Sequence, residues 1–320
     1  MSNSIYKIAV VLLSLVFTFE LSAQQQQHYT FFMHNKLLLN PGYAGAADHS
    51  YINLIYRNQW SGLPGAPEAQ SLTWNMSSFN KVGLGFVADR QTIGIQEEVS
   101  IAGNYAYKLL LNDLTISAGL SGSYRRYTED FTDPSIVAIH SLNTDPSIPQ
   151  LVYNKNIINV GFGIYASNKD FYLGVSIPRL IKTSLDIDNN SFLTQEELHY
   201  YLMGGIDFRI NKKLKFSPQV LLKFAQNSPF DIDLNFGVSW EDKYGLALAY
   251  RYGGNDGGIG ESVDLMFTFK LNEALMFGVS QDYSLSDLSS YESGTLEAMV
   301  QYDFVKKKPQ PVMVNPRYFY

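Results

Sequence analysis

Asp186, Asp188, Asn190 and Glu197 occupy positions 1, 3, 5 and 12 of a twelve-residue run, with Leu193 at position 8. That is the oxygen-ligand spacing of an EF-hand calcium loop, in which carboxylates and amide oxygens wrap a hard cation. Position 6, where a sharp turn calls for Gly, is Ser191, and the flanking segments read as strands instead of helices. The run therefore has two readings, a calcium-holding loop and a solvated acidic loop, and the sequence leaves both open.

Other chemistry is sparse. His28, His34, His49, His140 and His199 show no H-E-x-x-H spacing, and no Gly-x-Ser-x-Gly elbow occurs. The glycine-rich stretch at 253–258 lies between two strand patterns with no helix to follow, so it reads as a hairpin loop and not a phosphate cradle. The chain has no Cys, which excludes thiolate metal sites and disulfides. Inward Asp and Glu residues read as packing partners more than as an acid–base pair. The expectation is a protein without catalytic residues or a required cofactor. A net charge of -6 argues against nucleic acid as a partner.

The elements that carry these residues alternate apolar and polar side chains with a period of two. In Tyr244-Gly-Leu-Ala-Leu-Ala-Tyr-Arg-Tyr252, one face is Tyr and Leu while the other is Gly245, Ala247, Ala249 and Arg251. Fourteen such strands are predicted, at 51–60, 69–76, 82–89, 99–107, 114–125, 157–166, 171–177, 198–210, 214–224, 232–240, 244–252, 263–269, 275–283 and 296–304. Short turns built on Asn, Lys and Asp alternate with longer loops at 61–68, 90–97, 127–156, 178–197, 225–229, 253–260 and 284–293. Such sorting marks an all-β transmembrane antiparallel barrel with short periplasmic turns and longer extracellular loops; a soluble sandwich has no reason for it. Leu120, Phe162, Leu173, Phe236 and Phe267 then face lipid. Asn53, Arg57, Asp89, Asn104, Arg125, Asn159, Asp207, Arg209, Lys215, Lys223, Asp233, Arg251, Asp264 and Asp282 face a packed, ion-paired lumen.

The ends read separately. Residues 1–23 have a Lys7 start, an apolar run and small Ser22-Ala23, the pattern of a secretory leader. The run is too short to span a membrane. Residues 24–50 form a periplasmic lead-in or a plug, and 51–304 the outer-membrane barrel. Residues 305–320 form a periplasmic tail carrying Lys306, Lys307, Lys308 and the ending Asn315-Pro316-Arg317-Tyr318-Phe319-Tyr320. Its prolines make it extended, a handle for partner binding or a plain disordered end.

A family resemblance rests on Leu39-Asn40-Pro41-Gly42-Tyr43-Ala44-Gly45, Arg57-Asn58-Gln59-Trp60, Gly65-Ala66-Pro67 with Gln70, Tyr172 to Leu180, and His199-Tyr200-Tyr201-Leu202. Together these resemble the PorP/SprF family of type IX secretion membrane proteins over essentially the whole mature chain, with Gly42 where Ala is commoner. The resemblance implies a barrel of the Bacteroidetes outer membrane that serves the type IX secretion or gliding machinery. It also implies partners: membrane lipid, periplasmic components of the machine, and a secreted adhesin bearing a type B C-terminal sorting domain. Read physically, Asn40-Pro41-Gly42 is a turn ahead of the first strand. The segment from Tyr29 to Gly45 either occludes the periplasmic mouth or simply leads into that strand. Arg57 and Gln59 are expected to face inward, with Trp60 in the outer aromatic belt. The alternative function is a FadL-like or porin-type transporter of small or hydrophobic ligands.

Overall fold

Period-two alternation becomes two faces of one sheet, and that sheet closes on itself. The computed structural model describes residues 28–305 apart from 80, 135, 137–150, 186–195, 227, 229 and 254–259. Its strands are β1 (Ser50–Asn58), β2 (Glu68–Phe79), β3 (Val82–Ile93), β4 (Gln96–Leu111) and β5 (Leu114–Asp130). There follow β6 (Val152–Ser167), β7 (Phe171–Ile177), β8 (His199–Ile206), β9 (Phe208–Arg209) and β10 (Leu214–Ala225). The last are β11 (Asp231–Trp240), β12 (Tyr244–Tyr252), β13 (Ser262–Lys270), β14 (Leu275–Ser284) and β15 (Thr295–Phe304). Each pairs antiparallel with its neighbours, and β15 pairs with β1 from Ser50↔Phe304 to Asn58↔Leu296, which closes the barrel. Both β8 and β9 lie against β10, so they are two pieces of one stave and the described barrel has fourteen staves.

The break has a local cause. Pro218 has no N–H to give the ladder, and opposite it the 198–210 strand expected from the sequence is interrupted at Asp207. On the β7 side the ladder continues, with the Asp207 N–H donating to the Asp170 carbonyl at 2.7 Å, while its carboxylate accepts from Ser217 Oγ at 2.6 Å. Asp207 and Arg209 are exposed near the rim; Asp207 still faces inward, lining the turn-end cavity 3.3 Å from Lys215.

Three of the short turns share one device. The side-chain oxygens of Asn168, Asn211 and Asn272 each accept from two following backbone N–H groups at 2.8–2.9 Å. An Asn side chain thus imitates a backbone turn and lets the chain reverse in a few residues. At the opposite end, β4, β5 and β6 run 16, 17 and 16 residues, beyond the 9–11 that a bilayer requires. The 90–97 loop predicted there is mostly strand: only Gly94 and Ile95 separate β3 from β4.

Outward residues such as Leu120, Leu173, Leu246 and Phe267 are exposed on the barrel wall, as lipid-facing side chains must be. The core lies inside. Phe31 and Tyr29 pack on Ile55, Met266 and Met299. Phe32 and Leu39 pack on Tyr165, Tyr201, Met203 and Leu221, while Leu37 and Ala44 pack on Val87 and Ala106. Each of the Phe, Leu, Ile, Val and Met side chains among these contributes roughly 1.5–3 kcal/mol when fully buried.

Candidate functional site: the filled lumen

Residues 28–49 run through the barrel as two 3-10 turns (Phe32–His34 and Pro41–Tyr43) around a single α-turn (Lys36–Leu39). So short a piece cannot hold its own shape in water; the wall fixes it. The Thr30 and Phe31 N–H groups donate to the two oxygens of Glu297 at 2.8 and 2.9 Å. Asn35 accepts from Thr73 Oγ1 at 2.6 Å. The carbonyls of Leu39 and Gly42 accept from Ser176 Oγ and Ser117 Oγ at 2.7 and 2.5 Å. The Gly45 N–H donates to Asn75 at 2.7 Å, and its carbonyl accepts from Lys108.

Asn40 is the centre of the motif read in the sequence. It is fully buried; its Oδ1 accepts from Gly42 N at 2.8 Å, and its Nδ2 donates to the Ile164 and Val175 carbonyls on two adjacent strands. This turn lies directly on the wall because the strands beneath carry glycine. A Cβ at Gly163 would strike the Asn40 side chain, and one at Gly119 would strike the Pro41–Gly42 backbone. Tyr43 meets Tyr165 edge-on, with ring centroids 5.1 Å apart.

Charge in the lumen is paired through a chain of contacts. Arg57 lies 3.1 Å from Glu297 and 3.8 Å from Asp282, and Arg251 lies 3.0 and 3.4 Å from Asp233 and Asp264. Lys223 joins Asp233 at 2.8 Å and Asp231 at 3.4 Å. His28 lies 2.8 Å from the Lys223 ammonium. Burial, reinforced by Lys223, holds the His28 pKa well below the ordinary histidine value, so the ring is neutral and accepts from that ammonium. A second ring stands at the long-loop end: Arg125 and Arg179 both bridge Glu98 and Glu196. Burial disfavours the Arg179 charge, but the Glu98 and Glu196 carboxylates outweigh it and raise the guanidinium pKa. The same contacts keep Glu196 below the usual carboxylate range despite its burial.

The plug divides the interior into two vestibules. The one at the long-loop end measures about 380 Å³ and is lined by Tyr29, Asp89, Asn104, Arg125 and Glu196. The one at the turn end measures about 930 Å³ and is lined by His34, Lys36, Tyr43, Tyr172 and Lys215. In the latter, the Lys36 ammonium stands 3.6 Å from the Tyr172 ring centroid, and burial lowers its pKa to about 8. Burial likewise lowers His34 to about 4.

Several sequence expectations change here. Arg57 faces inward as expected, but β1 stops at Asn58. Trp60 is a turn residue at φ 52, half-buried with its N–H on Thr295, so it lies outside the alternation of β1. Gln59 likewise lies past the strand, its N–H on the Pro67 carbonyl. Of the calcium-loop residues only Glu197 is described, and its carboxylate pairs with Lys182 at 2.5 Å. Asp186, Asp188 and Asn190 lie outside the described residues, as do Lys306, Lys307, Lys308, Asn315, Pro316, Arg317, Tyr318 and Phe319. Sequence reasoning missed Glu297, although its alternation with Thr295 and Met299 in β15 was a signal for the inward face.

A closed sheet with an apolar outer wall, a polar ion-paired interior and turns sorted from loops defines a β-barrel of the outer membrane. The chain belongs to the type IX secretion system membrane protein PorP/SprF family, whose profile matches residues 21–302. Comparison with curated proteins gives no match. Among solved structures the barrel is similar to the Pseudomonas putida toluene transporter TodX (8% identity, TM-score 0.48, covering 83% of this chain and 92% of that one). It is also similar to a Pseudomonas aeruginosa FadL homologue (9%, TM-score 0.47, 83% and 93%) and to Acinetobacter baumannii Omp33 (8%, TM-score 0.46, 80% and 98%).

Proposed function

We propose that this barrel is a non-enzymatic docking component of the type IX secretion and gliding machinery, supporting secretion or surface attachment of an adhesin with a type B C-terminal sorting domain. The observation that carries the reading is the filled lumen. A segment tied to strands around the wall, from Glu297 through Asn75 and Ser117 to Ser176, supports a rigid scaffold more than a solute passage. On this reading the outer loops meet the client and the tail at 305–320 meets periplasmic parts of the machine. Calcium at Asp186, Asp188, Asn190 and Glu197 would stiffen the outer loop, an auxiliary role.

Deleting residues 305–320 tests this directly. Secretion or attachment of the adhesin is expected to be lost while the barrel still assembles. Unchanged secretion, or a large stable conductance of the purified wild-type protein in planar bilayers, would favour a transporter instead.

A further inference from the structure

The plug covers one side of the wall and leaves another bare. Gly119 and Gly163, on β5 and β6, have no side chain because the turn at Asn40, Pro41 and Gly42 lies on them. Gly237 on β11 has no such reason. A Cβ there would meet only wall atoms, the nearest being the Ser217 carbonyl at 3.5 Å, and nothing of the plug comes as close. Its surroundings across the ladder are as small, with Ala247 opposite Gly237 and Gly245 opposite Ser239. The space left between this wall and the plug is the larger vestibule, which reaches down to the turn residues Asn168 and Lys169.

Into this space the plug presents one cation. Lys36 is the only Lys or Arg between residues 28 and 49. Its ammonium stands 3.6 Å from the Tyr172 ring centroid and 5.6 Å from that of Tyr43, and among the described residues it has no oxygen partner. The other lumen cations differ: Arg57, Arg125, Lys223 and Arg251 each meet a carboxylate, and Lys108 meets the Gly45 carbonyl. The charged groups that act on Lys36 are Asp207 and Lys215, which already pair with each other at 3.3 Å, so a net positive charge is left beside the rings. Aromatic faces stabilise an ammonium, but its three N–H donors still call for oxygen. Burial makes the charge costly to keep, and residues held against stability mark binding sites. Asn235, on the bare wall and 1% exposed, likewise gives its amide only to the Met266 sulfur at 3.7 Å, a weak acceptor.

We infer that the turn-end vestibule binds a carboxylate carried on an apolar body and entering from the periplasm. The carboxylate accepts from the Lys36 ammonium beside Tyr172, and the body lies over Gly237 and Ala247 against Met266. Tyr172 and the bare wall are joined through Gln219, which accepts from the Tyr172 hydroxyl at 2.8 Å and is the register partner of Asn235. From β7 to β11 is three strand spacings, about 14 Å along the wall. Across the chord, two or three extended residues span that distance at roughly 3.3–3.6 Å each. The carboxyl end of a peptide and a free acid of similar length share this chemistry. The inference needs the plugged barrel but not the docking role.

Isothermal titration calorimetry of the purified full chain in detergent tests this, with an N-acetylated alanyl-leucyl-phenylalanine peptide and with octanoate, each beside its uncharged amide. The wild type is expected to bind at least one acid saturably and about tenfold or more tighter than its amide, the worth of a charge-assisted hydrogen bond. Lys36→Met is expected to bring acid and amide within about twofold of each other. Lys36→Gln replaces it should that variant fail to assemble. Gly237→Leu is expected to weaken acid and amide alike, because it fills the space for the body and leaves the ammonium in place. Tighter binding of the peptide assigns a chain end, and tighter binding of octanoate a free acid. Equal affinity for acid and amide in the wild type, discrimination that survives the loss of Lys36, or no saturable binding of either acid up to about 10 mM overturns the inference. Inorganic phosphate binding as tightly as the acids overturns it too, since the body then contributes nothing. None of these readouts involves secretion, so the docking role can fail while this inference stands.

Discussion

Arg57 and Glu297 meet 3.1 Å apart as register partners on β1 and β15, the two strands whose pairing closes the barrel, at 1% and 0% exposure. Glu297 also accepts the Thr30 and Phe31 N–H groups. One carboxylate thus ties together the seam and the plug.

Glu297→Ala is therefore expected to destabilise the protein by about 3–5 kcal/mol, since it leaves a buried guanidinium with the Thr30 hydroxyl and no carboxylate nearer than the distant Asp282. Denaturant titration of the detergent-solubilised barrel measures this. Replacing both partners, Arg57→Met with Glu297→Leu, is expected to cost clearly less at the seam while still freeing the plug.

Gly163→Leu is expected to push Asn40 off the wall and open a passage. The Cβ alone collides with the Asn40 side chain, and the wall strand cannot recede without breaking its ladder. Planar-bilayer recordings are expected to change from silent to stepwise conductance. A silent variant with an intact barrel would show that the plug tolerates the displacement.

Plug stability is expected to fall on acidification. His34 has its pKa lowered from 6.5 to about 4 by burial, so between those values the unfolded segment binds the proton first and stability drops as pH falls from 6.5 toward 4. Protease access to the segment across that window measures the effect, and His34→Gln is expected to flatten it.

Lys36 acts in the alkaline range. Its pKa of about 8 lies below the ordinary 10.5, so stability rises as pH climbs from 8 toward 10.5, and the charged form is penalised at neutral pH. Lys36→Met is expected to stabilise the plug at pH 7 by about 1–3 kcal/mol, allowing for the lost contact with the Tyr172 ring. It should also remove the alkaline gain.

Arg179→Ala is expected to loosen the outer loop without opening the barrel. Arg179 and Glu196 lie near the two ends of that loop, and both are tied to the wall residues Glu98 and Arg125. Limited proteolysis of intact cells should show faster cleavage within residues 178–198, with stability lowered by about 1–3 kcal/mol.

Much of this was legible from residue order. Side chains of a strand alternate by covalent geometry, so Arg57, Arg251, Asp264 and Leu120 declare their faces from sequence alone. Asn at 168, 211 and 272 likewise marks the tight turns, because an Asx turn needs nothing beyond its own few residues. The path of residues 28–49 was not legible in this way. Its helical turns are too short to have a periodic signature. Its anchors lie 27 to 267 residues away in sequence. The break at Asp207 depends on a proline across the ladder, and the stop at Asn58 moves Trp60 out of the strand's alternation. Period and turn chemistry act over neighbours, which residue order contains; which wall group answers which plug group depends on barrel closure, which brings distant positions together.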